Sequence, residues 1–127
     1  MKVKIHQAFQ ENTSLVVGFS SEFGSAEAVW NGQKPLTHNE YQVEVDIEDT
    51  LSWDRDVVIS TRQHCNIGQK KDAVNISGYL CSVEQDGYAV LSLGDNIVAF
   101  MAVGNPPLVG SCITLSTKSI SLTPVEY

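Results

Sequence analysis

The stretch Tyr41–Trp53 reads YQVEVDIEDTLSW, and its period is two: Tyr41, Val43, Val45 and Ile47 alternate with Gln42, Glu44, Asp46 and Glu48. Successive side chains of a strand point to opposite faces, so the segment predicts a strand with one apolar face and one lined with carboxylates. Same-face neighbours along a strand stand roughly 6.6 Å apart, and like charges at that spacing repel. The row gains nothing for folding, so the functional question is what meets it. Asp49, Asp54 and Asp56 extend the acidic character, and Arg55 is the only base between Glu40 and Asp56.

The flanking sequence supports the same class of structure. Val3 and Ile5 place a first strand over residues 2–9, Glu11-Asn12 turns the chain, and Leu15–Phe19 forms a second strand, economically joined to the first as a hairpin. Residues 20–40 are less regular. Ala26–Trp30 suits either a short strand or a helical turn, Asn31-Gly32 signals a tight turn, and Pro35 confines any following strand to an edge. After Asp54-Arg55-Asp56, Val57–Ile59 reads as another strand, whereas residues 61–73 (TRQHCNIGQKKDA) are polar and locally basic and read as a loop or a short helix. The second half is a cleaner succession: strands at Ile76–Val83, Tyr88–Leu93, Ile97–Val103, Cys112–Leu115 and Ser119–Leu122, with turn signals at Asp86-Gly87, Gly94-Asp95-Asn96 and Gly104-Asn105-Pro106-Pro107. The expected fold is all-β, a single domain over residues 1–127. It would be an antiparallel barrel or sandwich with an oligonucleotide/oligosaccharide-binding (OB)-like second half and at most one short helix, in 20–40 or 61–73.

At 127 residues, 43% hydrophobic and 18% charged, the chain has the composition of one ordinary globular domain. Fifteen acids against eight bases give a net charge of −7. Such a surface repels phosphate backbones and draws basic partners at long range, although acidity also serves solubility alone. No apolar run approaches the roughly 20 residues of a membrane span, and the N-terminus has no apolar core of a signal peptide. Three cysteines, Cys65, Cys81 and Cys112, make an odd count without a CxxC pair, as expected of reduced thiols in a cytoplasmic protein; Cys81 and Cys112 read as core residues.

Chemistry has few footholds. Glu44, Asp46 and Glu48 lie along one strand and diverge, whereas hard-cation sites converge ligands from a loop or several elements. His64 and Cys65 are adjacent and point apart, which does not suit a nucleophile and its base; pairing of distant residues such as His38, His64 and Cys65 is the enzyme alternative. No GxSxG, HExxH or phosphate-binding loop is present. No catalytic residue, metal or cofactor is therefore expected. Tyr79, Tyr88 and Phe100 could stack bases, but from Ala73 to Tyr127 the only base is Lys118, too little to hold a phosphate backbone. Trp30 and Trp53 read as residues closing an end of the core. Trp53, among Asp49, Asp54 and Asp56, also reads as an interface anchor for a basic partner.

VEVDIEDTLSW, followed by ISGYLCSVEQDGYAVLSLGDNIVAF and closed by VGSCITLSTKSISLTP, is similar in rhythm to small β-rich bacterial immunity proteins of contact-dependent inhibition and related polymorphic toxin systems. The resemblance covers residues 39–124 and carries no diagnostic motif. It implies a cytoplasmic, non-enzymatic protein that binds and neutralises one cognate toxin domain, often a nuclease with a basic cleft. Together with the acidic strand, it nominates Glu44, Asp46, Glu48, Asp49, Trp53, Asp54 and Asp56 as partner-binding residues. The alternative is an OB-like nucleic-acid or ligand-binding module.

Overall fold

The structure, a computed structural model, describes residues 1–60 and 64–125. Tyr41–Ser52 is extended as its alternation predicts, within β4 (Glu40–Ser52): Val43, Val45, Ile47 and Leu51 are buried, while Glu44, Asp46 and Glu48 face solvent. Before it come β1 (Lys2–Glu11), β2 (Ser14–Ser21) and β3 (Gly24–Trp30), a meander of two hairpins. After it come helix α1 (Trp53–Asp56), β5 (Val57–Ile59), β6 (Asn66–Lys70), β7 (Ala73–Val83), β8 (Tyr88–Leu93), β9 (Asn96–Val103), β10 (Cys112–Thr117) and β11 (Ile120–Pro124).

The strands close into an eight-stranded barrel with extra strands attached. The ring runs β1–β2–β3–β6–β7–β8–β9–β4 and returns to β1. Closure removes the exposed edges that an open sheet would leave. β11 lies between β3 and β4, parallel to the first and antiparallel to the second, and β10 with β5 extends from the other edge of β7. One cluster of buried side chains fills the interior, drawn from both halves of the chain, with Ile5, Phe19, Leu51, Ile76, Leu91, Leu115 and Leu122 among those sealed from water. Each such aliphatic residue contributes about 1.5–3 kcal/mol.

The all-β expectation holds, and five details need correction. The barrel is not purely antiparallel: β4 runs parallel to β9, and β3 parallel to β6 and β11. The second half closes only through the first, because β11 pairs with β3 and β4. The short helix is α1, outside both segments proposed for it; Ala26–Trp30 belongs to β3, where Ala26, Ala28 and Trp30 point inward. Within 61–73, residues 66–70 form β6 and a tight turn follows at Lys71, whose φ is +57°; residues 61–63 lie outside the described residues. Cys81 is exposed rather than core, since its position on β7 points outward beside an irregularity in the pairing with β8; Cys112 is buried and Cys65 half-buried.

Candidate functional site: an acid-flanked apolar face

β4 is paired on both edges at Asp46, to Ser121 of β11 and to Ala99 of β9. Side chains of paired residues share a face, so the outward carboxylates of β4 stand beside the outward side chains of β9. Glu44 and Asp46 line one side of a shallow cleft of about 380 Å³, and Ile97, Ala99 and Tyr88 line the other. Further along, Thr50 pairs with Met101 and Ser52 with Val103. Ile97, Met101 and Val103 therefore form an outward row on β9. Ile97 is 61% exposed and Val103 60%. Strands β4, β8 and β9 contain no lysine or arginine.

An exposed aliphatic row on a sheet face costs solubility and gives nothing back in the isolated chain. Its neighbours are carboxylates: Glu44 and Asp46 on β4, and Asp95 at the β8–β9 turn. Among the described residues that line this cleft, the cationic group is the Met1 amine, which donates to the Val43 carbonyl oxygen at 2.8 Å. Burial lowers the pKa of that amine, and the charge of Glu44 acts in the opposite direction.

The seven nominated residues separate into distinct roles. Glu44, Asp46 and Glu48 form the exposed row. Asp49 instead turns its carboxylate back into the fold, where Oδ2 accepts from the Thr117 hydroxyl at 3.0 Å and from the Lys118 amide at 3.4 Å. Asp56 Oδ2 accepts from the Ser52 amide at 2.8 Å, and Arg55 donates to both of its oxygens. The Arg55 bond, then that of Ser52, holds the Asp56 carboxyl below the usual carboxylate range. Asp49 thus ties the later part of β4 to the turn after Thr117, and Asp56 ties α1 to the last residue of β4. Asp54 is exposed. Trp53 is not presented as an anchor: it is 5% exposed, and its ring meets Phe100 edge-on with centroids 5.6 Å apart. The indole keeps acidic company in sequence, but β4 ends with odd-numbered residues inward, and Trp53 continues that parity. Trp30 is equally buried, its Nε1 donating to the Gln33 carbonyl oxygen.

The β9 row escaped the sequence reading, although its residues were visible as a strand. Among the described residues, no group of three or more His, Cys, Asp or Glu side chains is placed to hold a metal ion, and no helix is long and apolar enough to cross a membrane. No protein-family model matches the chain, and neither a curated protein nor a solved structure is significantly similar to it.

Proposed function

We propose that this chain is a non-enzymatic binding protein that receives a basic protein partner on the outer face of β4 and β9, and that it serves as a cytoplasmic immunity protein neutralising a cognate toxin domain. The observation that carries the reading is the exposed aliphatic row of β9 running beside the carboxylates of β4. Long-range attraction by Glu44, Asp46 and Glu48 would orient the partner, and burial of Ile97, Met101 and Val103 would hold it. A nuclease-type toxin suits this surface because its substrate cleft carries Lys and Arg for phosphate. An acidic inhibitor occupies the ground the nucleic acid would use. The absence of Lys and Arg from β4, β8 and β9 argues against direct nucleic-acid binding on the same face.

The test is kinetic. A candidate toxin domain, sought among the proteins encoded beside the chain, is purified, and its association with wild type is compared with that of a Glu44→Lys, Asp46→Lys, Glu48→Lys variant. Charge reversal should slow association at low salt by about tenfold or more and flatten its salt dependence. Unchanged rates would remove the acidic row from the mechanism. Failure of the wild-type chain to bind or inhibit that domain would remove the immunity role.

A further inference from the structure

A second cleft, of about 720 Å³, opens at one end of the barrel. One wall is the β7–β8 turn, residues 84–87. The Glu84 amide donates to the Tyr88 carbonyl oxygen at 2.8 Å, and the Ala102 amide to that of Gly87 at 2.9 Å. The other wall is the loop after β9, whose far end is tied to β7: Gly110 donates to the Leu80 carbonyl oxygen at 2.7 Å and Leu80 to that of Ser111 at 2.9 Å. Backbone bonds to strands thus hold both walls, and the cleft exists before anything enters it. Trp53 and Ala102 close its floor, and Val103 links it to the aliphatic row of β9.

The lining joins two properties that point to one occupant. Pro106, Pro107, Leu108 and Val109 make one wall apolar, and Leu108 is 84% exposed. Glu84 and Asp86 supply carboxylates from the opposite wall, and among the described residues no Lys, Arg or His lines the cleft. Asp86 commits Oδ1 to the Tyr88 amide at 3.0 Å, which leaves Oδ2 for another donor. Behind the floor, the Asp54 carboxylate stands close to Gly104 and adds to the negative field. A purely aliphatic occupant would desolvate these carboxylates without a partner, which is costly. A lysine ammonium is a compact and strongly hydrated charge. A guanidinium is planar, weakly hydrated and forked, so it can stack on an apolar wall while donating to two carboxylates.

We propose that this end cleft takes an arginine side chain of the protein partner, with its methylenes against Val103 and Pro107 and its guanidinium at Glu84 and Asp86. The proposal rests on the reading of the chain as a docking protein, but it does not depend on the β4 carboxylates. A partner lying along β9 reaches the cleft without a break in contact, because Val103 belongs to both surfaces.

The test uses the isotopically labelled full chain and two peptides, acetyl-Leu-Arg-Leu-amide and the same peptide with citrulline, arginine's neutral isostere. The arginine peptide should shift amide resonances of Gly87, Val103, Gly104 and Leu108. Citrulline should weaken binding about tenfold, as loss of a charge-assisted contact requires. Glu84→Gln should weaken the arginine peptide to a similar degree, whereas Glu11→Gln, at an exposed acid that ends β1, should leave it unchanged. Equal affinity for the two peptides, shifts centred elsewhere, or no shift at millimolar peptide each overturn the proposal. Because the peptide reports the cleft alone, such a result is distinguishable from failure of the acidic row to steer a toxin.

Discussion

Gly24 and Ile67 meet backbone to backbone at the seam where β3 joins β6 and the ring closes. Gly24 has φ +139°, and a Cβ built on it would overlap the Ile67 carbonyl oxygen. The Ile67 amide donates across the same seam to the Phe23 carbonyl oxygen at 2.9 Å. The seam is narrow, so one atom in the wrong place reaches the whole barrel.

Gly24→Ala should therefore cost about 2–4 kcal/mol, from a φ that L residues rarely adopt and from forced displacement of β6. Gly68→Ala, one residue beyond Ile67 on the same strand, is the control. Its Cβ would meet only Asn66 Nδ2, at 3.7 Å, and its effect should stay within about 0.5 kcal/mol. Urea unfolding of the two variants checks both. Equal stability would mean that the β3–β6 contact does not support the barrel.

Asp56 gives the fold a dependence on acid. Its carboxyl is held below the usual range by the Arg55 side chain first and the Ser52 amide second. A depressed folded pKa stabilises the fold above the unfolded value, about 3.9, and that stability is lost as pH falls through the folded value. Asp56→Ala should cost about 0.5–1.5 kcal/mol at neutral pH, chiefly through the unsatisfied Ser52 amide. The gap between the two proteins should hold down to about pH 4 and narrow below it. Chemical unfolding across that range measures it, and a gap independent of pH would show that the carboxylate charge contributes nothing.

How much of this was legible follows from where each signal lies. β4 could be read because Val43, Val45 and Ile47 are covered on one side only, so burial leaves an alternating trace. β6 left almost none: Ile67 is its one buried residue, and the rest of the strand is polar. Asp49 looks like its neighbours in sequence because its partner Thr117 lies 68 residues away. On β9 the inward Val98, Phe100 and Ala102 interleave with outward Ile97, Ala99, Met101 and Val103. A strand apolar on both faces reads as buried on both, and only the neighbouring strands reveal which face lies open. The acidic half of the candidate site was therefore visible, and its apolar half was not.

Trp53 should behave as a core residue. Trp53→Ala should cost about 3–5 kcal/mol, since it empties the space against Phe100. Trp53→Phe keeps an aromatic edge there and should cost less. It should also leave the rate of association with a partner unchanged once the protein is folded. Both tryptophans are buried, so native fluorescence should be blue-shifted and should move to the red on unfolding. A Trp53→Phe variant as stable as wild type but unable to bind would restore the indole as a contact residue.

The apolar row on β9 separates binding from folding more sharply than any carboxylate does. Ile97 and Val103 are each more than half exposed, so replacing them with serine removes little buried area and should change stability by about 0.5 kcal/mol or less. In a complex the same side chains would be covered. Ile97→Ser with Val103→Ser should then weaken affinity about tenfold or more, because each lost aliphatic contact contributes about 1 kcal/mol or more when desolvated. Steering predicts where that loss falls. Reversal of Glu44, Asp46 and Glu48 acts before contact and should slow association, whereas loss of the aliphatic pair acts after contact and should speed dissociation. Stopped-flow association and dissociation measured on both variants distinguish the two halves of the face. If the serine pair dissociates like wild type, the row lies outside the interface, and the carboxylates beside it lose the surface they were placed to serve.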